Sequence, residues 1–185
     1  MTRRPPPPSV SVTLRSVASA AALVVLSRPD WLPVYVVSGA LLNGLLSKAI
    51  KKIVRQPRPA GSRRPGNGMP SSHAQTLFFL STTLALLAAD RRTVPALVPL
   101  VSFGYSVIAV AHRVSDRLHT VAQTIVGAVL GTLVAAALHR WEPGFVRSSP
   151  TPPSLRIRLA FVAVCAGVLF RKEASALLRR NRVRD

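Results

Sequence analysis

The sequence predicts an all-α fold: a polytopic membrane helical bundle of about five to six transmembrane helices. Three observations lead there. Apolar residues make up 49% of the 185 residues, and they gather in long uncharged runs. The chain carries 25 Lys and Arg against six Asp and Glu, a net charge of +19, and most of these cations fall between the runs, as in the basic loops of membrane proteins. No stretch alternates apolar and polar residues at strand spacing, and no internal repeat is visible. Disordered basic tails are poor in apolar residues. Soluble nucleic-acid binders of this charge are rarely so apolar, and Trp, Tyr and Phe total ten here. The composition therefore argues for a bilayer and against a nucleic-acid partner. It sets no oligomeric state.

The elements follow in order. Residues 1–15 form a basic tail with prolines at 5–8, irregular by composition. Ser16–Leu26 is apolar but short of the roughly 20 residues a span usually needs. With no acid before Asp30, residues 1–29 suit a targeting segment as well as a first short helix. Trp31–Ile50 is a clear span, with Trp31 and Tyr35 as interface anchors. Ala74–Ala89 and Val94–Ala111 follow, separated by a charged turn. Leu118–Leu138 is long, and Gly127, Gly131 and Ala135 recur every four residues, a spacing that lets helices pack closely in lipid. Leu159–Phe170 is short, and 171–185 is a second basic tail.

Alternate crossings put the loops 51–73 and 112–118 on one side of the membrane. Both carry His and Arg. In the first, Lys51 ends a helix, where a cation is favoured, and Pro57 and Pro59 stiffen the backbone around Arg58. Gly66-Asn-Gly-Met-Pro-Ser71-Ser72-His73-Ala-Gln75 then opens a helix, and Ser72-x-x-Gln75 has the form of a capping box. A helix N-terminus offers free amides to a phosphate, and the preceding glycines let backbone approach a ligand. His73 stands at its mouth. In the second loop, His119 and Gln123 share one helical face. The Gln123 carbonyl oxygen can take the Nδ1 proton of His119, leaving Nε2 free as a nucleophile.

Lys51, Arg58 and Arg113, with the amides at Ser71–His73, can hold a phosphoryl group and stabilise its transition state. One histidine can attack while the other protonates the leaving oxygen. The scattered acids, Asp30, Asp90, Asp116, Glu142, Glu173 and Asp185, do not build a carboxylate metal site. A lone Cys165 gives neither a disulfide nor a zinc cage. The reading therefore contains no metal and no cofactor.

These residues resemble the type 2 phosphatidic acid phosphatase family, relatives of the vanadium haloperoxidases. Lys51 with Arg58-Pro59 fits that family's first motif, Lys-x6-Arg-Pro. Pro70-Ser71-Ser72-His73 fits Pro-Ser-Gly-His, with Ser72 in place of Gly. Arg113, His119 and Gln123 fit Ser-Arg-x5-His-x3-Asp, with His112 for Ser and Gln123 for Asp. The resemblance implies His119 as a nucleophile forming phosphohistidine, His73 as general acid, and Lys51, Arg58, Ser71, Ser72 and Arg113 as the phosphate cradle. Gln123 orients His119 but lacks the charge of an aspartate. The resemblance extends to two subfamilies, the plastid epsilon-type lipid phosphate phosphatases above all and the dolichyl diphosphatases next.

It implies a membrane phosphatase domain over 16–170 that hydrolyses phosphatidate-type lipid monoesters in a plastid membrane. The alternatives are an isoprenoid diphosphatase, with the endoplasmic reticulum as its membrane, and a non-catalytic binder of anionic lipid. If both short end runs span, the site face carries 18 of the 25 Lys and Arg. The positive-inside rule then places the site toward the side of insertion, which speaks against a lumenal dolichyl diphosphatase.

Overall fold

The computed structural model describes residues 25–28, 30–62, 66–90, 94–144, 146 and 151–167. The tails 1–15 and 171–185, most of the Ser16–Leu26 run and the end of the Leu159–Phe170 run lie outside those residues. Four helices form the main body: α1 (Leu32–Val54), α2 (Ser72–Ala89), α3 (Leu97–Ser115) and α4 (Val121–Arg140). Among the described residues the only β pairing is an isolated antiparallel bridge between Pro57 and Asn67. The fold is an all-α membrane bundle. By length and composition α1, α3 and α4 can each cross a bilayer.

The helix ends have local causes. Helix α1 runs one turn past the apolar segment because Lys51 and Lys52 occupy its last turn, where cations meet free carbonyls. It stops where Arg55 takes a positive φ of 48°, just before Pro57. Helix α3 ends at Ser115 with Asp116 as its C-cap, and Arg117 follows at φ 52°. Helix α4 begins at Val121 rather than Leu118, because Thr120 is its cap. Thr120 and Gln123 form a full capping box. The sequence expectation had put a box at Ser72-x-x-Gln75. In the structure Ser71 is the cap, accepting from the Ala74 amide, and Gln75 is turned into the bundle instead.

Helix α2 is the inner helix, with Ala74, Gln75, Phe79, Ser81 and Leu87 buried along it. The small residues of α4 pack against it. Gly127 leaves no room for a Cβ beside the Ser71 backbone, and Gly131 none beside the Gln75 carbonyl and the Phe79 amide. Gly127, Gly131 and Ala135 are all buried, as their spacing predicts. On the other side, Phe78 meets Phe103 of α3 edge to face at 5.3 Å. Polar side chains of α2 pair across helices. Ser81 bonds Ser102 and Ser106 at 2.8 and 2.9 Å, and Thr82 donates to Thr132. Gln75 Nε2 donates to the Asn43 side chain of α1 at 2.8 Å. These partners satisfy the polar side chains that the inner helix carries into the interior.

The compact unit holding these contacts is Val36–Pro143, and the flanking segments form a second. In the second, Trp31 Nε1 donates to the Thr151 carbonyl at 3.1 Å, and Arg158 donates to the Leu26 and Arg28 carbonyls. Residues 155–167 are helical.

Candidate active site

The last turns of α1 and α3 and the first turns of α2 and α4 converge at one end of the bundle. Three cross-connections make that convergence. The Ser71 amide donates to the Gln123 carbonyl at 2.9 Å. Arg58 Nη1 donates to the Leu118 carbonyl at 2.8 Å. Gln123 Nε2 donates to the Pro57 carbonyl at 2.9 Å. The two loops that alternate crossings place on one side are thus in direct contact.

His119 sits at the centre, with 6% of its surface exposed. Its Nδ1 lies 3.2 Å from Gln123 Oε1. That oxygen also accepts the Thr120 amide at 3.2 Å. The Gln123 Nε2 hydrogens go to Gln56 Oε1 and the Pro57 carbonyl, so the amide has one orientation. Its oxygen faces the imidazole, which places the ring proton on Nδ1 and the lone pair on Nε2. Arg58 Nη1 stands 3.3 Å from that Nε2. Burial, and then the Arg58 charge, pull the His119 pKa down to about 4. The Gln123 hydrogen bond opposes that shift, Lys51 adds to it, and the Gly68 backbone opposes it. The ring is therefore neutral at pH 7.

Lys51 is half-buried and donates to the carbonyls of Asn67 and Gly68 at 3.3 and 3.4 Å. Asn67 returns a bond to the Lys51 carbonyl at 2.9 Å. Together with the Pro57–Asn67 bridge and the Gly68 amide on the Gln56 carbonyl, this ties Asn67 and Gly68 to the end of α1 and the residues just after it. Gly66 has a φ of 96°, which favours glycine there. Gly68 is small for a different reason from the one its sequence suggests: the open side of its Cα is filled by the Gln123 amide.

The remaining candidates lie on the same helix ends. Ser71 is fully buried at the head of α2. Ser72 shares a 2.7 Å hydrogen bond with Ser47 of α1, so a hydroxyl at the motif's glycine position ties two helices together. His73 is half-buried in the first turn of α2. Arg113 is in the last turn of α3, and its carbonyl receives the amides of Leu118 and His119. His112 is exposed beside it. Sequence reading missed Gln56, Ser47 and Asn67. The one local signal it passed over was Thr120-x-x-Gln123, which has the capping-box form.

Comparisons with known proteins identify the family. The chain is 31% identical over 159 residues to lipid phosphate phosphatase epsilon 2, chloroplastic, of Arabidopsis thaliana, covering 83% of this chain and 55% of that one. Its epsilon 1 counterpart is 34% identical over 113 residues, covering 60% and 40%. Dolichyldiphosphatase 1 of Dictyostelium discoideum is 28% identical over 131 residues, covering 65% and 57%. The chain thus spans about half the length of the curated relatives it matches. No solved structure matches it. The profile of the PAP2 superfamily matches residues 32–147, which takes in all four helices and every residue of the site, and the chain belongs to that superfamily.

Proposed function

We propose that this protein is an integral-membrane phosphatase that hydrolyses phosphatidate-type lipid monoesters through a phosphohistidine on His119. The observation that carries the reading is the locked amide of Gln123. It holds the proton on His119 Nδ1 and presents Nε2 as a lone pair among cations. The phosphoryl group sits between Arg58, Lys51, Arg113 and the amides at the head of α2, which spread and stabilise its charge. Nε2 attacks phosphorus and the P–O bond to the lipid breaks. His73 gives its proton to the departing alkoxide. Water then attacks phosphorus, His73 takes a proton from it, the P–N bond breaks, and phosphate leaves. No carboxylate or metal enters these steps.

The names of the two chloroplastic relatives support a lipid phosphate as substrate and a plastid membrane as location. The dolichyldiphosphatase relative keeps a polyprenyl diphosphate in the test panel, with the endoplasmic reticulum as its membrane. The test is phosphate release by purified protein from phosphatidate and from polyprenyl diphosphate, with His119→Ala as control. Turnover of phosphatidate is expected, with almost none in the variant. Full activity in His119→Ala would sink the mechanism. Binding of anionic vesicles without turnover would replace the enzyme with a headgroup binder.

A further inference from the structure

Gln123 makes more contacts than an orienting bond to a histidine requires. Its oxygen takes two donors, His119 Nδ1 and the Thr120 amide, both at 3.2 Å. Its nitrogen gives two hydrogens, to Gln56 Oε1 at 3.1 Å and to the Pro57 carbonyl at 2.9 Å. The residue is 1% exposed. Both acceptors lie on the short segment that carries Arg58. A third neighbour limits length. A Cβ placed on Gly68 would stand 2.5 Å from Gln123 Nε2, 2.6 Å from its Cδ, and closer still to its Oε1. Gly68 has no positive φ, so alanine suits its backbone, and the three nearest atoms its Cβ would meet all belong to Gln123.

Resting on the reading of His119 as nucleophile, we propose that Gln56, the Pro57 carbonyl and Gly68 form a socket for a neutral amide of glutamine length at position 123, which makes Gln56 and Gly68 positioning residues for His119. A carboxylate in this socket would set an oxygen against the Pro57 carbonyl with no hydrogen between them, a contact that costs rather than stabilises. A turned amide would set its NH2 against the Thr120 N–H. Only the observed orientation satisfies all four partners. The socket also fixes the distance between the nucleophile and the cradle, because the side chain that orients His119 holds the backbone next to Arg58.

The test uses the full chain in detergent or nanodiscs, with phosphatidate as substrate. The variants are Gly68→Ala, Gln123→Asn, the two together, Gln56→Ala and Gln56→Glu. Gly68→Ala should lower kcat about 100-fold with little change in KM, the scale of an ångström's misplacement. Gln123→Asn is shorter by one methylene, so adding Gly68→Ala to it should cost nothing further. Gln56→Ala should lower kcat several-fold, and Gln56→Glu, which still accepts from the amide, should recover most of that loss. Nitrogen-15 spectra of labelled histidine should show an unprotonated His119 Nε2 in the parent protein and mixed tautomers in Gly68→Ala.

Multiplying losses in the double variant would overturn the socket, as would a Gly68→Ala protein with unaltered rate and tautomer. If Gly68→Ala does not fold, recovery of thermal unfolding in the double variant supports the size match, and no recovery refutes it. If no protein releases phosphate, the activity assignment fails while the tautomer spectra still decide the socket.

Discussion

Arg58 Nη1 stands 3.3 Å from His119 Nε2, so the cation that would hold a substrate phosphate faces the nitrogen that would attack it. The Leu118 carbonyl takes another hydrogen of the same Nη1 at 2.8 Å, which fixes the group in place. A bound phosphoryl group would insert between the two and exchange one Arg58 contact for another. Arg58→Lys keeps the charge but loses the planar fork. It should lower kcat/KM about 100-fold in a phosphate-release assay.

The same neighbour sets the pH response. His119 titrates near 4 through burial first and Arg58 second, so the free base exists well below neutrality. The acidic limb of kcat/KM should therefore fall near pH 4 rather than near pH 6.5. Removing the charge in Arg58→Ala should move that limb upward. Stability has a matching sign. The unfolded chain binds a proton at His119 between about pH 6.5 and the lowered folded value, so stability declines as pH falls through that window. A profile of rate and of unfolding temperature from pH 3.5 to 8 measures both.

Helix packing gives a paired prediction. Gly131→Ala puts a methyl into the Gln75 carbonyl and the Phe79 amide, and should cost about 1–3 kcal/mol with loss of activity. Gly104→Ala has open space around it. It should be neutral or stabilise the helix by up to about 1 kcal/mol. Thermal unfolding in a mild detergent separates them.

The buried Asn43–Gln75 pair predicts an asymmetric cycle. Asn43→Leu removes the Oδ1 acceptor of Gln75 Nε2 and the Nδ2 donor to the Gln75 carbonyl, leaving only the backbone carbonyl at position 43 as a partner, which should cost about 1–3 kcal/mol. Replacing both residues by leucine should cost less than the single change.

Chelation is a further check. With cations and backbone amides as the only charge stabilisers in the proposed steps, EDTA should leave phosphate release unchanged. Strong inhibition would require a metal in the cycle.

Much of this arrangement is legible in the sequence, and the legible part is local. The spacing of His119 and Gln123 gives a shared face without any tertiary information. The four-residue repeat of Gly127, Gly131 and Ala135 gives a packing stripe, though not which helix fills it. Alternating spans bring the two loops to one side. Most of the rest depends on contacts between distant parts of the chain, 67 residues apart for Gln56 and Gln123. Nothing near Gln56 or Gly68 in the chain says that each touches Gln123, so Gly68 reads as an accommodation for ligand when its space holds a side chain. The cap of α2 falls on Ser71, which accepts the Ala74 amide, while Ser72 bonds Ser47, a partner on another helix. Leu118 drops out of α4 because Thr120 with Gln123 closes the first turn.

The polar ladder along α2 also bears on how the protein is made. Gln75, Ser81 and Thr82 are bonded to residues of α1, α3 and α4, and lipid offers no substitute for those partners. Each of these bonds joins α2 to a helix made at a different time. Gln75 finds its Asn43 partner already synthesised, whereas Ser81 and Thr82 must wait for α3 and α4. The ladder is complete only once α4 has been made, and a chain ending at Asp90 could form the Gln75 rung alone.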